Sequence, residues 1–342
     1  MKNGLKEGKW VEYGYDEVLT HVFTRAEIEN AVHYRLVLYQ NGKPEGIVRT
    51  YLMSGVLMKE ITYQTGIKNG VARLYFETGK LLNESFYSDN ERTGLLKEYY
   101  ESGAFRSEIP FSKGLRSGTE KGYYESGKLK TEIYYVENKE EGLAKLYYEN
   151  GALEAEIPFS KGLRDGIEKI YYESGKLKSE IPMSKGVKNG TGKDYYENGK
   201  TQNEIPFTNG KINGIQKTYY ENGKPETEIS FVNDIISGFK KGYYENGKLN
   251  VVEPYVNNFP EGLIKQYNEE GALIAEIPAI AGKKSGLAKY YYGTGELQWE
   301  MPFEYDKENG VGKEYYKSGK LKSEVTFFEG DALGKPKEYP DK

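Results

Sequence analysis

Cysteine is absent from this 342-residue chain, which excludes disulfides and thiolate metal sites. Only two histidines occur, His21 and His33. Asp16 and Glu17 lie near them in sequence, but no converging set of ligands or acid/base partners is readable, so no metal or catalytic role is expected. No apolar run approaches membrane-spanning length, and the opening MKNGLKEGKW has no apolar h-region. The chain as given is therefore expected to be cytoplasmic, with an upstream leader left open because repeat-like sequence starts by Gly4. Charge of one sign is also missing. The 48 basic and 52 acidic residues are interspersed and leave a net charge of −4. Without a basic tract there is no nucleic-acid footprint, and an anionic membrane surface is disfavoured. Phosphate loops, dinucleotide fingerprints, Ser-His-Asp sets and calcium loops are not found. No catalytic, cofactor or metal residue is assigned, and an enzyme is not expected.

What is present is a period. A glycine stands at Gly55 and at every 24th residue after it, through Gly79, Gly103 and Gly127 to Gly319. A second series keeps the same step from Gly46 and Gly70 to Gly310 and Gly334. About twelve copies of one short unit make up nearly the whole chain, and a fixed period of this length marks a repeat architecture. Apolar residues are only 37% of the chain, while tyrosine alone contributes 33 residues. That composition is too poor in aliphatics for a thick two-layer core. It suits a sheet with two partly wet faces, covered by tyrosine rings and Lys/Glu stems.

One copy, from Gly166 to Gly190, reads GIEKIYYESGKLKSEIPMSKGVKNG. Two strand-like runs flank a turn at Ser174-Gly175, which is Asn-Gly at Asn150-Gly151, Asn198-Gly199, Asn222-Gly223 and Asn246-Gly247. Asn-Gly between β-prone runs signals a two-residue hairpin loop with both residues at positive φ. At the other end of the unit the position of Gly186 holds only Gly, Asn or Asp, the residues that tolerate a left-handed backbone. With a two-residue loop, Tyr172 faces Leu177 and Lys169 faces Glu180. The basic member recurs from Arg49 to Lys313 and the acidic one from Glu60 to Glu324, with Val252 as the exception. Each such cross-strand pair contributes about 0.2–1 kcal/mol. The alternative, a three-residue loop with a bulge, opposes Lys169 to Ser179. We favour the first register. It places Tyr172, Leu177, Ile181 and Met183 on one face and Lys169, Tyr171, Glu180 and Pro182 on the other. Pro182, which lacks an amide donor, reads as the point where each return strand stops pairing and bends.

The expected fold is all-β: a single repeat domain over 1–342, built as an antiparallel β-hairpin meander of 24-residue units in an elongated twisted or superhelical sheet. Residues 1–46 would form an enlarged N-terminal capping hairpin with strands over Val18 to Phe23 and Val32 to Tyr39. Thr24-Arg25-Ala26-Glu27 resembles a capping box, so a short helix is an alternative there. Twelve repeats fill 47–333. Residues 334–342 would add a closing edge strand, with Lys337 and Tyr339 in their columns and Pro336 and Pro340 discouraging further pairing.

Two sets of surface residues stand out. The column Tyr99, Tyr123, Tyr147, Tyr171, Tyr195, Tyr219 and Tyr243 is an unbroken aromatic row. Around Ile235, Ile236, Val252, Phe259 and Pro260 the pattern breaks toward apolar residues, and an exposed contact patch for a partner is expected there.

The string YYESGKLKSE, with the aromatic that follows and the S-K-G or T-N-G turn, resembles the MORN-repeat variant of bacterial YwqK-type proteins over roughly residues 4–342. Members of that family usually carry tryptophan two residues after the first glycine. Here only Trp10 does so, and Glu120, Ala144, Gly192 or Gln216 stand in other copies. The resemblance implies a β-hairpin repeat scaffold that binds another protein, with antitoxin as one label in the family. Two rival readings are a glycan binder using the tyrosine rows and a lipid-surface protein. An unidentified protein partner is expected, and self-association through sheet edges is a further expectation.

Overall fold

The computed structural model describes residues 1–14 and 32–342. His21, Asp16, Glu17, the strand expected over Val18 to Phe23 and the Thr24-Arg25-Ala26-Glu27 box lie outside the described residues. Among the described residues the chain is all-β, with 36 strands paired antiparallel and no helix. Contacts divide it into one unit of Met1–Asp165 with Glu173–Gly175, and a second of Gly166–Tyr172 with Lys176–Lys342.

In the first unit, strand Gly8–Gly14 pairs with His33–Gln40, from Gly8 opposite Tyr39 to Gly14 opposite His33. Val37, Tyr39 and Val48 form a small core there, with Trp10 and Tyr63 packed against it. Glu12 is buried beside them. Its carboxylate accepts from Arg35 Nε at 2.7 Å and from the Tyr39 hydroxyl at 2.8 Å, and pairs with Lys6. Burial pushes the Glu12 carboxyl upward, but hydrogen bonds from Lys6, Arg35 and Tyr39 outweigh it and hold the group below the usual carboxylate range.

The second unit runs from strand Gly166–Tyr171 to Lys337–Glu338. Its small core is Ala275, Ile277 and Ala288, with Ile264, Tyr290 and Phe303 against it. The last strand places Lys337 opposite Glu324, and the Tyr316 hydroxyl donates to the Tyr339 carbonyl at 3.0 Å. Among the described residues no large side chain is fully buried. Each unit therefore depends on ties between neighbouring strands more than on a thick apolar interior.

The left-handed backbone expected at the position of Gly186 is present, with φ +85° there, but the turn at the other end of each copy differs from the two-residue loop expected. At the Ser-Gly or Asn-Gly end the loop has three residues. The Tyr196 carbonyl accepts from Gly199 N–H, and Tyr196 N–H donates to the Lys200 carbonyl, both at 2.8 Å. Only the glycine is left-handed, with φ +86° at Gly199, while Asn198 is not. This is a type I turn followed by a left-handed residue. The asparagine is used through its side chain, accepting from Lys200 N–H at 2.9 Å. The two-residue loop with two positive φ values is at the other end, where Lys185 has φ +49° and Gly186 φ +85°. Its first position carries Lys, Glu, Thr, Ala and Tyr as well as Asn and Asp, so its backbone was not legible from residue type.

Register follows from both turns. Lys169 does face Glu180, Ile170 faces Ser179 and Glu168 faces Ile181. Between Ile170 and Tyr171 the pairing slips by one, so Leu177 faces Tyr171 instead of Tyr172. The three-residue loop and the charge ladder coexist because this one-residue bulge reconciles them. Leu177 is thereby moved off the face first assigned to it.

The reading of Pro182 as a strand end is also corrected. Strand Leu177–Ser184 runs through it, with Ile167 opposite Pro182. The incoming strand makes the detour instead. Val187 and Lys188 pair with Ser184 and Met183, and the ladder resumes at Lys193 opposite Glu180, two residues longer. Asn189 N–H donates to the Pro182 carbonyl at 3.0 Å. Gly190 passes the proline ring with φ +115°, where a Cβ would lie 3.0 Å from Pro182 Cγ. This two-residue detour is a second bulge, and that contact and that dihedral explain the second glycine series, whose members are its bulge glycines.

Candidate interaction surface

Side chains alternate between two faces in each copy, as strand geometry requires. One face carries the charge ladder. Glu60 accepts from Arg49 Nε at 2.8 Å within its hairpin, lies 4.0 Å from Arg73 of the next strand, and accepts the Tyr75 hydroxyl at 2.8 Å. In the second unit Glu228 lies 4.0 Å from Lys217 and 3.6 Å from Lys241, and accepts the Tyr243 hydroxyl at 3.1 Å. Each such glutamate thus joins two cations and a phenol from two successive copies. Burial pushes the Glu60 carboxyl up, but hydrogen bonds from Tyr75 and Arg49 and the nearby guanidinium charges bring it below its ordinary range. Burial, then the facing glutamate, pushes the phenols of Tyr75, Tyr195, Tyr219, Tyr291 and Tyr315 up to about 12.

This accounts for the aromatic row. Tyr99, Tyr123, Tyr147, Tyr171, Tyr195, Tyr219 and Tyr243 are half-buried. The hydroxyls of Tyr123, Tyr195, Tyr219 and Tyr243 donate to Glu108, Glu180, Glu204 and Glu228. Their rings stand within the ladder and do not form a flat stacking platform. The neighbouring tyrosine column makes a second tie. Tyr172, Tyr196, Tyr220 and Tyr244 each donate to the carbonyl of Tyr195, Tyr219, Tyr243 or Tyr267 at 2.7 Å. At the same edge Lys176 Nζ reaches the Glu197 carbonyl at 2.7 Å, and Asn198 Nδ2 reaches the Glu221 carbonyl at 3.3 Å. Sequence reading found these columns but not their hydrogen bonds, which run to residues 15 to 23 positions away.

The opposite face carries the column Phe111, Tyr135, Phe207, Phe231 and Tyr255, and in several copies a cation lies over the ring. Arg92 sits 5.0 Å from the Phe111 ring centre, Arg116 5.3 Å from Tyr135, and Lys284 5.2 Å from Phe303. In three successive copies that column is apolar: Ile212 faces Phe207, Ile236 faces Phe231 and Pro260 faces Tyr255.

The five residues expected to form one patch are therefore divided. Ile235 and Phe259 are on the ladder face at the two-residue hairpin tips, opposite Val232 and Val256, and both are exposed, Phe259 by 57%. The Asn258 N–H donates to the Ile236 carbonyl at 2.9 Å and stacks one tip on the next. Ile236 and Pro260 are half-buried on the other face. Val252 is half-buried in the ladder between Lys241 and Lys265, where it replaces the glutamate. Alternation sends adjacent residues to opposite faces, so neighbours in sequence do not share a surface.

Further exposed residues lie beside Ile235 and Phe259, in columns that are also apolar and exposed in other copies, such as Leu143 and Ile167. Val232, Val256 and Ile280 lie at the tips with Ile235 and Phe259. Beside them runs a row one residue after each bulge glycine: Ile215, Phe239, Leu263 and Leu287, all exposed. Ile215 faces Ser230, Phe239 faces Pro254, Leu263 faces Pro278 and Leu287 faces Pro302. The row was legible at the 24-residue period once the bulge fixed its face.

Residues 68–89, 116–137, 140–161, 164–185, 188–209, 212–233, 240–257 and 308–328 match the MORN repeat variant family. Among solved structures the chain is similar to a crystal structure of TcdB2-TccC3 without its hypervariable C-terminal region, at 12% identity and a TM-score of 0.17, covering 86% of this chain and 18% of that one. A Photorhabdus luminescens Tc holotoxin pore aligns at 12% identity and a TM-score of 0.16, covering 87% of this chain and 18% of that chain. The chain spans about a fifth of the length of these structures, and scores this low carry no argument. No curated protein matches the chain.

Proposed function

Because the chain belongs to the MORN repeat variant family, which matches half of its length, we propose that it is a non-catalytic scaffold that binds a protein partner on the ladder face of the copies between Ile215 and Leu287. Repeats of this family are generally protein- or membrane-interaction repeats. The observation that carries the reading is that two successive tip pairs, Val232 with Ile235 and Val256 with Phe259, are wholly apolar beside the exposed row, with Phe239 54% and Phe259 57% exposed. The row itself is also exposed in other copies, at Leu95, Leu143 and Ile167. Contiguous exposed apolar surface on a polar chain marks an interaction site. Neutralisation of a toxin is the finer form of this reading, motivated by the resemblance to YwqK-type proteins.

The test is recovery from the native host on the immobilised full chain, with Phe259→Lys as the control. The expected result is a stoichiometric protein on the wild type that is depleted on the variant. Recovery of no stoichiometric protein, or equal recovery on both, overturns the proposal. For the toxin form, co-expression of the recovered protein with and without this chain should reveal toxicity only in its absence.

A further inference from the structure

The row beside the tips has a spacing and a charge that specify more than an apolar contact. Ile215, Phe239, Leu263 and Leu287 recur once per hairpin, so successive members are two strands apart, about 9.5 Å. Between them sit Ser230, Pro254 and Pro278, each opposite a row member in its own hairpin. Pro254 also lies against the next bulge glycine, where a Cβ on Gly262 would be 3.1 Å from its Cγ. The result is an apolar ridge running across the strands.

One flank of the ridge is the ladder, two residues along each strand and on the same face. In sequence the ladder here is almost neutral, with Lys241 opposite Val252 as its one unmatched cation. In space it is not. Lys217, Lys265 and Lys289 keep between 40% and 42% of their side-chain surface exposed, while Glu228, Glu276 and Glu300 keep between 19% and 25%. Each of these glutamates also accepts a tyrosine hydroxyl from the following copy. The carboxylates are thus turned into the sheet, and ammonium groups form the outward layer. The other flank is apolar, made by Val232, Val256 and Phe259 at the tips.

We propose that this ridge is the docking site for an amphipathic α-helix of the partner, lying across the strands, with apolar residues at every seventh position and acidic residues on the flank beside the lysines. Positions i and i+7 of a helix are about 10.5 Å apart along its axis. Lying about 25° off the ridge, such a helix projects onto the row with the spacing of the hairpins. An extended strand does not match, because its same-face residues recur at about 6.8 Å. A basic helix would meet the exposed ammonium groups and be repelled. The proposal rests on the reading of the chain as a protein-binding scaffold, and its test is separable from that one.

The probe is a phage-displayed library of helical peptides of about three heptads, leucine fixed at every seventh position and the other positions randomised, selected on the immobilised full chain. Enriched clones are expected to concentrate Asp and Glu on one side of the leucines. Their affinity, read by fluorescence anisotropy of the synthetic peptide, should fall at least tenfold for Phe239→Asp and for Leu263→Asp. A central proline in the peptide should cause a similar loss. Both side chains are exposed, and unchanged circular dichroism confirms that the variants fold. Four results overturn the proposal: no enriched clone, enrichment of Lys and Arg, binding indifferent to both variants, or dimerisation of the chain itself abolished by Phe239→Asp. Any of these with a stoichiometric host partner still recovered would remove the helix and leave the scaffold standing.

Discussion

The copies between Lys68 and Tyr135 and those between Ile212 and Ile280 share a backbone plan and differ in what covers it. Both have left-handed glycines at the bulge and wide turn, a Lys/Arg-to-Glu ladder and tyrosine hydroxyls on the ladder glutamates. In the first region Arg92 and Arg116 lie over aromatic rings, and two of the tip pairs are Ser112 with Leu115 and Val136 with Lys139. In the second, Ile212, Ile236 and Pro260 stand in the cation column, and two tip pairs are wholly apolar, Val232 with Ile235 and Val256 with Phe259. The difference shows which columns hold the fold. The glycines are kept, and the ladder and tyrosine columns are kept except at Val252 and Asn268, so the columns exchanged from copy to copy are free to carry recognition.

That division can be broken most severely at a bulge glycine. Gly262→Val forces a β-branched residue to φ +117° and against the Pro254 ring. We expect a loss of about 3 kcal/mol, combining left-handed strain with overpacking. Gly127→Ala in the first region, at φ +83° with open space around it, should lose only about 1 kcal/mol. Hydrogen exchange across 236–280 measures the first locally, which matters because repeat arrays need not unfold in two states. Equal losses at the two glycines would mean that the bulge is not a special position.

A second test asks whether the tyrosine ladder supports both regions. The phenols of Tyr75, Tyr219 and Tyr291 ionise near 12 in the fold, against 10.0 for a free phenol. The folded state therefore holds protons that the unfolded chain releases. This stabilisation is complete below pH 10.0 and is lost as pH rises toward about 12. Circular dichroism and phenolate absorbance should change together within that window. Sheet signal persisting after the phenols ionise would remove the ladder from its structural role.

The comparison is sharpened by repairing the second region. Asn268 is too short to repeat the tie by which the Tyr244 hydroxyl reaches the Tyr267 carbonyl at 2.7 Å. Asn268→Tyr should restore it toward Tyr291 and add about 1 kcal/mol, seen in urea midpoints. The smallest effect is expected for Ile236→Arg. Placing a cation over the aromatic column should add about 0.5 kcal/mol in thermal melting. Because Ile236 is on the face opposite Phe239, this variant should leave helical-peptide binding intact, and loss of binding would relocate the site.

Much of the repeat was legible in the sequence because each copy tests the same hypothesis again. The glycine clock implied hairpins, and the pairing of Lys169 with Glu180 was readable because opposite charges recur at one cross-strand position. The wide loop was misread at Asn198, since Asn-Gly suits a two-residue turn as well as a type I turn with a left-handed glycine. The candidate surface was less legible. Ile235 and Phe259 stood out, but Ile236 and Pro260 were grouped with them although alternation sends them to the other face, and Val232, Phe239 and Leu263 went unnoticed.

The sequence by itself determined that this is an all-β hairpin repeat, with its period and its charged ladder, because those are local choices of backbone angle and cross-strand charge restated in every copy. Only the tertiary structure decided which side chains share a face and which charges look outward. A single bulged residue shifts the register near the loop, and tyrosines from the following copy draw the glutamates inward while leaving the lysines in solvent.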